Sequence, residues 1–147
     1  MVPDSHRRLV QLEARALAHG LRMTPQRVVL LRVLSQTRTH PTADEVYKQV
    51  RRYLPSVSHA TVYRNLQDLA QARLIATLER AGSAVRYDAN PDDHHHFVCT
   101  ECGAVSDIYL KDVDYAVDSK RSVARPARID RAELQLHGLC ARCAGQD

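Results

Sequence analysis

The chain has 147 residues, 44% apolar and 26% charged, the balance of an ordinary globular protein with room for one domain or two very small ones. Its net charge of +4 is unevenly placed: residues 1–88 carry +7 and residues 89–147 carry −3, so the front half is the candidate for a polyanionic partner. No apolar run approaches the ~18 residues of a membrane span, and the polar stretch Met1 to Arg15 has no signal-peptide core, so a cytoplasmic location with no membrane partner is expected, and the cysteines are expected to hold metal rather than pair as disulfides.

Residues 6–19 place Leu9, Leu12, Ala16 and Leu17 at helical spacing, and Gly20 is a stop. Thr24-Pro25 reads as an N-cap followed by proline at the first helical position, opening a second helix through Val28–Leu34. The polar stretch Ser35–His40 is a loop punctuated by Pro41. Thr42 and Glu45 form a capping box for a third helix with Val46, Val50 and Tyr53 on one face, ended by Pro55. Ser58 caps a fourth helix running to about Gln71, with Val62, Leu66, Leu69 and Ala70 facing one way. Two short apolar runs, Leu74–Leu78 and Ala84–Tyr87, flank a turn containing Gly82 and predict a hairpin. Short helices followed by a hairpin make a winged helix-turn-helix, and the fourth helix is the candidate recognition helix. His59, Thr61, Tyr63, Arg64, Asn65 and Gln67 cover much of its remaining surface, side chains that can reach phosphates or base edges.

The back half carries two CxxC pairs, Cys99-Thr100-Glu101-Cys102 and Cys140-Ala141-Arg142-Cys143, with 37 residues between them. Two residues between cysteines let both sulfurs face one ion from a tight turn, and two such knuckles complete a closed tetrahedral shell that suits structural zinc. An iron–sulfur cluster and a regulatory dithiol are the alternatives. Phe97–Val98 and Val105–Leu110 read as strands, Asp112–Val123 as a helix, and Ala132–His137 as a strand with Leu134 and Leu136 alternating. The basic, irregular stretch Arg121–Arg131 has no role assignable from pattern.

Asp92-Asp93-His94-His95-His96 lies immediately before the first CxxC. On a strand His94 and His96 share one side while His95 faces the other, which offers two imidazoles to one ion. Nearby carboxylates are Asp88, at the end of the hairpin, and Asp107, at the end of the next predicted strand. Imidazole and carboxylate ligands suit Fe(II), Mn(II), Zn(II) or Ni(II) without selecting one, and a plain polar histidine tract is the other reading. No enzyme is expected, because the cysteine shell is closed and neither HxE with PCxxC nor HExxH occurs. A protein-binding zinc ribbon would leave the winged helix unexplained.

Taken in order, Leu21–Arg27, His40–Tyr47, Ser58–Leu66, His94–Gly103 and Gly138–Cys143 resemble the ferric uptake regulator superfamily over nearly the whole chain. The resemblance implies an α+β homodimer. Residues 1–90 would be a winged-helix DNA-binding domain, and residues 91–147 a small α/β dimerisation domain stapled by zinc on Cys99, Cys102, Cys140 and Cys143. It implies a regulatory metal, Fe(II) or Mn(II), on His40, Asp88, His94, His96 and Asp107. It implies a palindromic double-stranded operator read through Arg22, Gln26, Arg27, His59, Thr61, Tyr63, Arg64 and Asn65. Aspartate at both carboxylate positions resembles the peroxide-sensing branch, in which Fe(II) reacts with hydrogen peroxide and a ligand histidine, here His40 or His94, is oxidised. An iron, zinc or nickel uptake regulator of the same superfamily is the alternative. One departure is Ala132, where many relatives carry a histidine that serves an additional metal site. His95 and His137 receive no role.

Overall fold

The structure, a computed structural model, describes residues 3–114, 116–124, 126–129 and 131–145. The chain divides into two compact units, Met1–Asp92 and Asp93–Asp147. The order of elements is α+β: four helices and a short hairpin, then a three-stranded sheet. No helix among the described residues is long and apolar enough to cross a membrane.

In the first unit the helix boundaries follow local chemistry. Helix α1 (Pro3–Ala18) ends where Gly20 takes φ +71°, a left-handed conformation that lets Leu21 N–H bond back to Ala16 O at 3.0 Å. Thr24 caps α2 (Pro25–Gln36) by accepting from Arg27 N–H, with proline in the first turn. Thr42 and Glu45 form the full capping box of α3 (Ala43–Val50), and Ser58 accepts from Thr61 N–H to cap α4 (His59–Gln71). Each cap satisfies donors that a helix start leaves without an intrahelical partner.

The apolar faces of these helices close one core. Leu12, Leu30, Leu31, Val46, Val50, Leu66 and Leu69 are buried in it, together with Leu74, Ile75 and Tyr87. Each fully buried leucine contributes roughly 1.5–3 kcal/mol through water release. Strands β1 (Ala76–Leu78) and β2 (Arg86–Asp88) pair antiparallel with Ala76 opposite Asp88. Tyr53 departs from expectation. Helix α3 stops at Val50, so Tyr53 sits in the following turn, exposed, with the Arg32 guanidinium over its ring.

In the second unit β3 (His95–Cys99) is central. It pairs antiparallel with β4 (Val105–Ile108) and parallel with β5 (Gln135–Gly138). Strand β4 returns the chain to the end at which β3 begins, and residues 109–134 join it to β5 on the other side of β3.

The helix expected over Asp112–Val123 does not form among the described residues of that span, which are turns, bends and irregular backbone; Tyr115 lies outside them. Asp112 stands at φ +52°, and the Asp118 carboxylate accepts from Lys120 and Arg121 N–H. Such side-chain bonds compete with the helix ladder, and the β-branched Val113, Val117 and Val123 do not favour it. The core of this unit is thin, with Val98 and Cys99 its fully buried apolar side chains among the described residues.

Candidate metal centres and DNA-binding face

Helix α4 turns Val62, Leu66 and Leu69 into the core, which leaves Tyr63 and Arg64 exposed on the opposite side. Arg22 and Gln26 are exposed near the start of α2. Other expected DNA contacts are engaged within the unit. Arg27 Nε donates to Asn65 Oδ1 at 3.0 Å, its Nη1 donates to Arg22 O at 2.8 Å, and its Nη2 pairs with the Asp68 carboxylate. Its side chain is only 14% exposed. Asn65 in turn donates to Thr61 O at 2.9 Å. His59 Nε2 lies 2.7 Å from Asp44 Oδ1 and its ring packs edge-on against Tyr47. Arg27, Asn65 and His59 therefore hold α4 against α2 and α3, while Tyr63 and Arg64 are free to reach outward. Of the two anchors of this arrangement, Asp44 lies within the His40–Tyr47 segment, whereas Asp68 lies outside every motif read in the sequence.

Tyr87 secures the hairpin to the same helix. Burial pushes its phenol up from the ordinary range, Tyr63 adds to the shift, and a hydrogen bond with Gln67 opposes it. The loop before α3 is tied to β2 as well. Tyr87 N–H donates to Pro41 O at 2.9 Å, and Arg86 donates to His40 O at 2.8 Å. These bonds place His40 beside Asp88. Both are buried, with His40 Nε2 3.7 Å from Asp88 Oδ2. Asp88 Oδ1 accepts from Asn90 N–H at 2.8 Å, which fixes the carboxylate at the strand end.

In the second unit His96 on β3 and His94, the residue just before that strand, converge on one point. His94 Nε2 and His96 Nε2 are 3.1 Å apart, with the rings nearly perpendicular at 82°. Asp107, the register partner of His96 on β4, places Oδ1 3.5 Å from His94 Nε2. Two imidazoles and a carboxylate, with ligand atoms within 4.8 Å of one another, form the donor set of a borderline divalent cation. His95 faces the other way, and its Nδ1 accepts from Leu134 N–H at 3.1 Å.

The four cysteine sulfurs also lie within 4.8 Å of one another. Cys102 Sγ and Cys140 Sγ are 3.9 Å apart, near the ~3.8 Å edge of a tetrahedron with metal–sulfur bonds of about 2.3 Å. Gly103, at φ +72°, allows the first knuckle to turn so that its N–H bonds to Cys99 O at 2.9 Å. Thr100 N–H reaches Gly138 O at 2.8 Å, which brings the second knuckle alongside.

Electrostatics point the same way. Backbone N–H groups of Cys102 and Cys140 hold the Cys99 thiol down to about 6. Cys102 is lowered chiefly by the Ala104 backbone N–H. Cys143 is pushed up to about 12 by its bonds with the Cys140 and Cys102 side chains. Some of the thiols are ready to ionise and the cluster resists ionising as a whole, a conflict that a divalent ion resolves by displacing the protons. Arg142, inside the second pair, bonds to the Cys102 side chain and has its own pKa raised by it. Zn(II) as structural ion fits the sulfur shell, and Fe(II) or Mn(II) as regulatory ion fits the imidazole–carboxylate donors.

The model of the ferric uptake regulator family matches residues 18–137. A peroxide operon regulator of Bacillus subtilis (strain 168) is 31% identical over 128 residues, covering 87% of this chain and 88% of the relative. Among solved structures, the ferric uptake regulator from Pseudomonas aeruginosa with manganese matches at a TM-score of 0.69 and 26% identity, over 87% of this chain and 96% of that one. A Campylobacter jejuni peroxide stress regulator matches at a TM-score of 0.64 and 27% identity, over 92% and 98%.

Proposed function

The chain belongs to the ferric uptake regulator family, and from that membership we propose that it is a cytoplasmic, homodimeric, metal-dependent repressor that responds to hydrogen peroxide. We read His40 and Asp88 of the first unit and His94, His96 and Asp107 of the second as ligands of one regulatory ion, the set that membership of the family implies. An ion that binds one arrangement of the two units better than others stabilises that arrangement by the difference in affinity. DNA binding then follows metal occupancy. Exposed apolar side chains in the second unit, among them Tyr109, Val117, Ile129 and Leu139, support a homodimer.

The observation that carries the peroxide reading is that the carboxylate in each unit is the short one, Asp88 beside buried His40 and Asp107 beside buried His94 and His96. The name of the Bacillus subtilis relative, a peroxide operon regulator, agrees with it. Fe(II) held by these residues would relay the electrons that split the O–O bond, lending one to the peroxide and recovering it from the imidazole ring, with no net change in the iron. One peroxide oxygen then ends on a ring carbon of His40 or His94 in place of hydrogen, and the other leaves as water. The imidazole loses two electrons and the peroxide gains them. An oxidised ring is a poorer ligand, so the ion and the DNA are released.

The test is operator binding by the zinc-loaded dimer with Fe(II) or Mn(II), each with and without peroxide. Both metal forms should bind, and only the iron form should lose binding irreversibly. Mass spectrometry should find one added oxygen on a peptide carrying His40 or His94, with the four cysteines unmodified. Asp107→Glu should lessen the sensitivity while keeping metal-dependent binding. An iron form that survives low peroxide with both histidines intact would overturn the peroxide reading and leave an uptake regulator.

A further inference from the structure

We propose that Glu133 is a positioning residue for the regulatory ion, setting the tautomer and the aim of His96; this rests on the reading of His94, His96 and Asp107 as ligands. His96 presents its two nitrogens to different partners. Its Nε2 faces His94 Nε2 at 3.1 Å, and its Nδ1 lies 2.9 Å from Glu133 Oε1. A carboxylate only accepts, so Nδ1 must carry the hydrogen. In the neutral ring Nε2 is then left with its lone pair, directed at the point where the His94 nitrogen also converges. A metal–imidazole–carboxylate relay of this kind orients the ligand and strengthens it as a donor.

The backbone explains why Glu133 is available. Strand β5 runs parallel to β3 with Gln135 opposite His96, and His96 N–H donates to Leu134 O at 3.1 Å. Leu134 N–H bonds in return to the ring of His95. The residue immediately before Leu134 is thereby held next to His96. This gives His95 a purpose: facing away from the ligands, it anchors the segment that carries Glu133. The His96 side chain is 3% exposed and that of Glu133 47%, so the relay joins a buried ligand to a carboxylate at the surface.

The experiment uses the full-length, zinc-loaded protein and has two readouts. The first is Mn(II) titration followed by the electron paramagnetic resonance of free Mn(II). Glu133→Ala should weaken binding by roughly 10–100-fold, with zinc content and melting temperature unchanged. Glu133→Gln, whose amide oxygen still accepts from Nδ1–H, should recover part of the loss. The second readout needs no regulatory metal: nitrogen-15 spectra of the histidine rings should show His96 protonated at Nδ1, and Glu133→Ala should shift it toward a mixture of tautomers. Wild-type Mn(II) affinity in Glu133→Ala, while His96→Ala loses it, would overturn this proposal alone. So would a wild-type His96 protonated at Nε2. Wild-type affinity in His96→Ala would overturn the ligand reading and this proposal with it.

Discussion

Arg27 and Arg64 carry the same charge on neighbouring elements and are expected to fail differently. The Arg27 guanidinium bonds to Asn65, to the Asp68 carboxylate and to the carbonyl of Arg22. Arg27→Ala strands those partners, and losing hydrogen bonds to a charged group costs about 1.5–3 kcal/mol. Thermal melting should therefore fall by several degrees, with any loss of DNA binding following from the displaced helix. Arg64 is exposed on α4, and Arg64→Ala should stay within about 0.5 kcal/mol of the parent stability while weakening operator binding. Parent stability in Arg27→Ala, combined with lost DNA binding, would return Arg27 to the contact surface. Sequence spacing cannot make this distinction, because both arginines lie in the predicted DNA-binding set and the deciding partner, Asp68, is an ordinary helix residue.

At the scale of elements, the caps were readable and the weaker regularities were not. Thr24-Pro25, the Thr42–Glu45 box and Ser58 locate three helix starts because each supplies an acceptor that the backbone lacks. The CxxC spacing and the alternation of His94 and His96 were equally local, and both clusters assemble accordingly. The helix expected over Asp112–Val123 had only a loose apolar period, without a cap of comparable strength, and short-range bonds from Asp118 prevailed. Glu133 was invisible because its role arises from a parallel register set by a distant strand. The same thinness of local support makes the second unit depend on its metal. With Val98 and Cys99 as its buried apolar core among the described residues, burial alone is insufficient. Cys102→Ser should release zinc, measured with a chromogenic chelator, and amide exchange across β3 and β4 should lose its protection. A zinc-free variant that keeps that protection would remove the structural role from the cysteines.

For the whole molecule, charge and symmetry make a joint prediction about DNA. The excess of +7 lies in residues 1–88, while residues 89–147 carry −3, so attraction to phosphates is confined to the part that bears α4. A dimer presents two such parts, and a two-fold pair of recognition helices reads half-sites about one helical turn apart, roughly 34–36 Å between centres. Binding by that route releases counterions in proportion to the phosphates neutralised. With about 6–10 phosphate contacts per dimer, affinity should fall on the order of 10³–10⁵-fold between 50 and 200 mM salt. The measurement is an operator titration by the Mn(II)-loaded protein across that range, paired with a footprint. Arg64→Ala should lower the slope of log affinity against log salt if it holds a phosphate, or relax discrimination at one base pair in each half-site if it reads an edge. A footprint without dyad symmetry would rule out two-fold reading by a dimer, and affinity indifferent to salt would rule out the basic unit as the DNA-binding part.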